Sequence, residues 1–566
     1  MSVFIGYPSF MAYQMMKGKK GNNDGFPSIP GIIARYSALG LTNEQMAANP
    51  VWVDKTGNGH DLQLKNFARG GMSGVGGYVD NWNSSADLAI NSYWVNSHTD
   101  HKLQFITASS VVQARSNNIY NAENVYKNIL NVNGLTEAVN KGSVKSLRII
   151  ATDPITSKAI KTFSFETDGV IQILFDDVLQ DYYVDYFLYG SDTKDIDITI
   201  EQLPLYPGAL VFDGVDDYGV CENFPILTKE KGYTVVALRQ WITRGEIAQG
   251  LVSNVKNWIK DGAFLLEYRN IQAEHLNKPI SFGAIGSEMD LPHILTYQTS
   301  KSYNGVSITT GNFEGTDVLH VGKLAPTKVG TCINAAIWEL VFLDHDATEE
   351  ELTKIKDYFV KTYPWLFPDQ AWTVVGKTNE DEDRATIANI TGNGNNLVLS
   401  NFGFAEGSGY NEEGEYAGYL VTDGVDDKIQ SSNFPMGKDF TVVGEWKLLS
   451  VSNYAGIVKS NNLYVYNSST GINIYVCSSS AGNKMEGLKS LKAICSDGRV
   501  YDDNWVEYKL KNVGDNIGAN STLDIGTNKN NFTKIAFKNL EIYNNKILSK
   551  EDCIKAYNYL QTLKAK

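Results

Sequence analysis

The segment LVFDGVDDYGVCENFP at 210–225 returns 210 residues later as LVTDGVDDKIQSSNFP at 420–435. In both copies an apolar run enters Asp-Gly-Val-Asp-Asp and leaves as a second short run. Two strands joined by a tight turn need this arrangement, since Gly supplies backbone freedom and Asp local hydrogen bonds. Working outward, TGNGHDLQLKNF at 56–67 returns as TGNGNNLVLSNF at 391–402, an offset of 335. YTVVALRQW at 233–241 returns as FTVVGEWKL at 440–448, an offset of 207. The fall from 335 to 210 means that the first copy carries about 125 residues that the second lacks. The chain therefore reads as one module interrupted by an insertion, followed by an uninterrupted module of the same kind. The expected boundaries are an arm over 1–29, a first module over 30–79 and 207–364, an insertion over 80–206, and a second module over 369–566.

Both copies end alike. AAIWELVF at 335–342 alternates as a final strand does, and so does the run 535–542. A short helix follows each. Thr348 with Glu351 fits a capping box, and Ser549 with Asp552 is a weaker version of it. Leu352, Ile355 and Phe359 make one apolar face, matched by Cys553, Ala556 and Leu560. LYVYNSSTGINIYV at 463–476 is a hairpin with a Ser/Thr/Gly turn. Within the insertion, SLRIIATD at 146–153, GVIQILFDD at 169–177 and DIDITIEQL at 195–203 read as strands, and YNAENVYKNILN at 120–131 as a short helix. Both ends of the insertion return to the first module, so it is expected to rest there as a small β-rich domain.

Composition sets further bounds. The 566 residues carry 50 Lys+Arg against 64 Asp+Glu, a formal net charge of −14, which disfavours a phosphate backbone as principal partner. No stretch approaches the apolar length of a transmembrane helix, so membrane insertion is not expected. Gly at 50 and Tyr at 31 suit short strands and tight turns. Cys221, Cys332, Cys477, Cys495 and Cys553 are odd in number and scattered, which suggests buried free thiols. The N-terminal MSVFIGYPSFMAYQMMKGKK has its lysines after the apolar residues, the reverse of a secretory signal, so export by the usual route is not expected. The arm, rich in Met, Tyr, Phe and Gly, reads as an anchor or assembly element, against the alternative that it packs on its own domain.

LVFDGVDDY, the upstream DKTGNGHDLQL, and a final strand followed by a T/S-x-x-E/D-capped helix resemble laminin-G-like (LamG), concanavalin A-type jelly rolls. The resemblance covers both modules and not the insertion. It implies an all-β fold of two such sandwiches, each closed by a short helix. The TNE phrase followed by TGNGxxLxLxNF is similar to modules in virion proteins of crAss-like phages of Bacteroides, where they occur in head or tail fibres. That likeness implies a location on the virion after synthesis in the host cytoplasm, capsid or tail proteins as partners of the arm, and a homo-oligomer, a trimer being one form.

Chemistry leaves few marks. A glucanase of this fold would carry an ExDxxE strand, placing a nucleophile and an acid/base about 5 Å apart. The nearest approach, Glu288-Met289-Asp290-Leu291-Pro292-His293, has His in the third place and a Pro that would disrupt a strand. His98 and His101 lack a third ligand and read as a polar loop. The glycine run 70–77 lacks the Lys-Ser/Thr of a phosphate loop. Asp213, Asp216 and Asp217, repeated as Asp423, Asp426 and Asp427, are either turn residues or a calcium site, since hard cations want clustered carboxylates. Trp241, Trp258 and Tyr268 in the first module, and Trp446, Tyr464, Tyr466 and Tyr475 in the second, have the chemistry to hold sugar rings or to fill a core. The expected function is that of a non-enzymatic fibre subunit whose jelly rolls adhere to host surface glycans and which needs no cofactor unless the Asp turns take calcium. The alternative is a bacterial secreted carbohydrate-binding protein or a concanavalin A-like glycoside hydrolase.

Overall fold

The computed structural model describes most of residues 24–563. Beyond the first 23 residues it leaves out several segments, of which 255–264, 270–294, 308–315 and 325–331 are the longest. The described chain is mostly β, with antiparallel sheets throughout and short helices at the module ends. It forms two compact units, one running up to Gly77 and resuming over Tyr206–Tyr363, the other combining Tyr78–Leu205 with Pro364–Lys566.

In the first unit, an eight-stranded sheet is centred on Asn334–Leu343, flanked by Thr234–Trp241 and Leu210–Asp213 and joined by Ile32–Ser37. A six-stranded sheet contains Gln249–Ser253, Leu319–Val321, Tyr218–Cys221 and Leu62–Lys65. Trp52, Leu64, Phe212, Val235, Leu251 and Phe342 fill the core. Asn334–Leu343 is buried along nearly its whole length on both faces, which explains why its sequence is almost continuously apolar. The exception is Glu339, fully buried, which accepts from Arg35 at 3.0 and 3.2 Å and from the Tyr363 hydroxyl at 2.8 Å. Arg35 also reaches Asp24 at 2.7 Å and the Tyr358 hydroxyl at 2.7 Å, while Phe26 packs on Tyr358. The described end of the arm thus packs on its own module. Helix Glu349–Thr362 opens with the expected capping box of Thr348 and Glu351.

In the second unit the sandwich repeats this plan. Ile535–Asn544 is the central strand, paired with Phe440–Leu448 and Gln370–Thr373. The facing eight-stranded sheet runs Thr386–Ile387, Leu397–Ser400, Lys428–Phe434, Ser521–Ile525, Gly456–Lys459, Leu463–Ser468, Gly471–Val476 and Asn483–Glu486. Both modules carry a bulge at the same place, after Leu238 in one and after Glu445 in the other. Helix Lys550–Leu560 closes the module, capped by Ser549.

The insertion is itself two five-stranded sheets around Leu103, Leu130, Ile149, Phe175, Tyr186 and Ile198. Residues 122–125 of the helix expected over 120–131 lie outside the described residues, and its last part is instead the strand Lys127–Asn133, paired with Gly169–Leu174 and Ile198–Gln202. Its resting place also differs from the expectation. It shares a compact unit with the second sandwich, joined by Lys127 Nζ to Gln561 at 2.7 Å, Tyr557 to Gln172 at 2.7 Å and Asn558 to the Pro204 carbonyl at 3.3 Å. Where the ends of an insertion enter the chain does not determine which of its faces is buried. Among the described residues no helix is long and apolar enough to cross a membrane.

Candidate functional site

The hairpin Leu463–Ser468 and Gly471–Val476 builds the candidate site. Leu463, Val465, Ile472, Ile474 and Val476 point into the core, so strand alternation sends Tyr464, Tyr466, Asn473 and Tyr475 to the opposite face. Tyr464 and Tyr475 are cross-strand partners with ring centroids 6.0 Å apart. Tyr466 lies 5.0 Å from Tyr464 and 5.9 Å from Tyr475, and the three rings are within 30° of parallel. Each such pair contributes about 0.5–1.5 kcal/mol beyond area burial. Tyr464 and Tyr475 are half-buried, whereas Tyr466 is 9% exposed and less open.

The cross-strand register extends this platform into a polar row. Tyr464 pairs with Lys459, Lys459 with Asp524, and Asp524 with Gln430. The Gln430 amide donates to Asp524 at 2.7 Å, and the Lys459 ammonium lies 5.9 Å from the Tyr464 ring. At the other end, a Cβ on Gly482 would lie 2.5 Å from the Tyr475 ring, so only glycine leaves room for that ring position. Aromatic faces beside fixed donors and acceptors can hold a ring that has an apolar face and a hydroxylated edge.

The first sandwich differs at the equivalent place. Ser253 and His320 pair as Lys459 and Asp524 do, but both are buried, and Ser253 donates to the Leu324 carbonyl at 2.6 Å. Burial lowers the His320 pKa to about 4, keeping it neutral. Trp241 is 7% exposed within the first core and Trp446 is 2% exposed within the second, so neither offers an open face. Their strands are central and covered on both sides, which the sequence alone did not reveal. Tyr268 lies in the strand Leu265–Arg269, opposite Gly250, and its side chain is outside the described residues. Trp258, Glu288, Asp290 and His293 are also outside them.

The Asp clusters have one geometry in both modules. Asp213 Oδ1 accepts from the amides of Val215 and Asp216 at 2.8 and 3.4 Å, and Asp217 accepts the Asp213 N–H at 3.1 Å. Asp423 and Asp427 repeat each of these bonds, and Ser408 donates to Asp427 at 3.0 Å. Carboxylate oxygens of each trio lie within 4.8 Å of one another, close enough to share a cation. Calcium wants six to eight oxygens, however, and turn amides already engage several of these. Burial, then the neighbouring Asp213 carboxylate, raises the Asp217 pKa to about 7, and burial raises that of Asp427 to about 6. His101 stacks on Tyr78 at 4.7 Å and lies 3.6 Å from Glu201, while His98 is exposed. All five cysteines are buried and free.

No protein-family model matches the chain, and no curated protein matches it. Solved structures similar to it include the sialidase of Trypanosoma rangeli, at 11% identity, TM-score 0.25, and 47% coverage of this chain and 48% of that one. The same sialidase in complex with sialic acid gives 9% identity, TM-score 0.26, and coverage of 82% and 83%. The binding domain of Paraclostridial Mosquitocidal Protein 1 gives 11% identity, TM-score 0.20, and coverage of 33% and 51%. The chain spans about half the length of the first of these sialidase structures. Likeness at this level supports no argument about activity or substrate.

Proposed function

We propose that the chain is a non-enzymatic glycan-binding protein of a phage virion appendage, and that the tyrosine platform of its second sandwich holds sugar rings of a host surface. The observation that carries the glycan half is the Tyr464/Tyr475 pair, half-open on a sheet face and continued by Lys459, Asp524 and Gln430. Tyrosine rings supply area at low conformational cost, and the polar row would fix which hydroxyls are accepted. One such platform alone binds weakly, so function follows from several copies presented together. The appendage half rests on the sequence resemblance, with the N-terminal arm as the element of attachment or self-assembly.

A glycan array probed with the full chain and with the Tyr464→Ala/Tyr475→Ala variant tests the first half. A reproducible sugar-specific signal lost in the variant supports it, and no signal on any glycan contradicts it. Light scattering on the full chain beside a chain lacking residues 1–29 tests the second. A stable oligomer lost on truncation supports assembly through the arm, and two monomers contradict it.

A further inference from the structure

We propose that a cavity of about 350 Å³ within the second unit, at the seam of insertion and second sandwich, is a binding site for a carboxylated saccharide unit. The volume is in the range of small-ligand sites. The site is separate from the tyrosine platform and does not rest on it. One wall comes from the edge strand Ala159–Phe165, where Lys161, Phe163 and Phe165 share a face while Thr162 and Ser164 are exposed. The two phenyl rings lie 6.5 Å apart and nearly parallel, at 16°. The other wall comes from the second sandwich, with Glu445, Lys447 and Lys492.

Two polar atoms on these walls are buried without a partner. Glu445, 4% exposed, spends Oε1 on the Tyr419 hydroxyl and on Lys538, leaving Oε2 without a hydrogen bond. Gln172 has its Oε1 held by Tyr557 at 2.7 Å and by Lys492 at 3.3 Å, which fixes the amide plane and leaves Nε2 without an acceptor. A buried acceptor and a buried donor left unpaired are each costly. Hydroxyl groups answer both, because a hydroxyl can donate to Glu445 or accept from Gln172.

Charge narrows the class. Lys161, Lys447 and Lys492 line the cavity against Glu445 and Asp503. Lys492 is committed to Tyr557 at 2.6 Å and Asp503 at 3.6 Å, whereas Lys447 lies over the rings of Tyr416 and Tyr419 at 5.8 and 5.0 Å. A cationic excess in a chain of net charge −14 favours an anionic ligand. A fully ionised anion such as sulfate has no proton to donate to the Glu445 carboxylate and would be repelled by it. A sugar acid meets every demand, with its hydroxyls for Glu445 and Gln172, its apolar ring face for Phe163 and Phe165, and its carboxylate for Lys447.

Isothermal titration of the full chain with galacturonate, and with galactose as its neutral counterpart, tests the site. Galacturonate should bind saturably and galactose at least about tenfold more weakly. Lys447→Gln on one wall and Phe163→Ala on the other should each weaken galacturonate about tenfold, so that misfolding of one variant leaves the other to decide. Tyr464→Ala/Tyr475→Ala should leave this binding unchanged. Absence of saturable binding at millimolar galacturonate overturns the inference, as does equal affinity for galactose. Loss of binding in the tyrosine variant with retention in Lys447→Gln and Phe163→Ala also overturns it, by moving the sugar acid to the platform.

Discussion

The ion pair of Glu445 and Lys538 should be a strong local stabiliser of the second sandwich, and its strength can be worked from the structure. The pair spans neighbouring central strands, with Nζ 3.8 Å from Oε1 and side-chain exposures of 8% and 4%. At an effective dielectric of 20 that separation gives an attraction of about 4 kcal/mol. Burial opposes ionisation of Glu445, but the ammonium groups of Lys538, Lys492 and Lys127 outweigh it and hold the carboxyl well below its usual range. Such a group contributes stability above the ordinary carboxylate pKa and loses it only as pH falls through the depressed folded value. Lys538→Met should therefore destabilise by up to about 3–5 kcal/mol, because it removes the foremost of the cations that offset burial of the carboxylate. Glu445→Gln should cost a comparable amount, and the double variant should recover much of the loss. Hydrogen exchange at neutral pH, read on peptides covering 440–448 and 535–544, follows the local opening free energy without requiring the whole chain to unfold in one step. A coupling below about 0.5 kcal/mol in the double-mutant cycle would refute the reasoning.

Further predictions concern buried acids and the first sandwich. Asp217→Asn and Asp427→Asn should each stabilise at pH 8, Asp217→Asn by up to about 4 kcal/mol, because a folded pKa raised to about 7 or about 6 favours the protonated state and its contribution is lost as pH rises. Thermal melts with and without calcium check this, since a calcium-stabilised site would reverse the sign. Glu541, which burial pushes up to about 8, should behave likewise, with Glu541→Gln stabilising above pH 8 and little effect below pH 4 in a pH series of denaturant melts. Arg35→Met should destabilise the first sandwich by about 3–5 kcal/mol, since Glu339 would lose its cation and keep only the neutral hydroxyls of Tyr363 and Ser37. Exchange on peptides spanning 334–343 would report this, and unchanged protection would contradict it.

Much of this architecture is legible in the sequence because local chemistry and period agree. The DGVDD turns, the capped closing helices and the Leu463–Val476 hairpin all lie where turn residues and alternation put them. The strand Lys127–Asn133 reads in part as a helix in the sequence, and its Asn128 amide is buried, donating to Tyr126 and Gln202. Of the candidate sugar residues, Tyr464, Tyr466 and Tyr475 lie on the face of their hairpin opposite the core. Alternation cannot show that the strands bearing Trp241 and Trp446 are covered on both sides. Lys459, Asp524, Gln430 and Gly482 escaped notice since only strand register aligns the first three in a row with Tyr464, and only the fold sets Gly482 against the Tyr475 ring. The cavity escaped for the same reason, as Gln172 and Glu445 lie far apart in the chain.

The most direct test of the platform is an equilibrium binding measurement, using the strongest glycan from the array, on the full chain, the Tyr464→Ala/Tyr475→Ala variant and Gly482→Ala. The account predicts at least about a tenfold loss for the double variant and a clear loss for Gly482→Ala, whose Cβ would displace the Tyr475 ring while leaving every tyrosine in place. Unchanged affinity in both variants, with the fold intact, would contradict it.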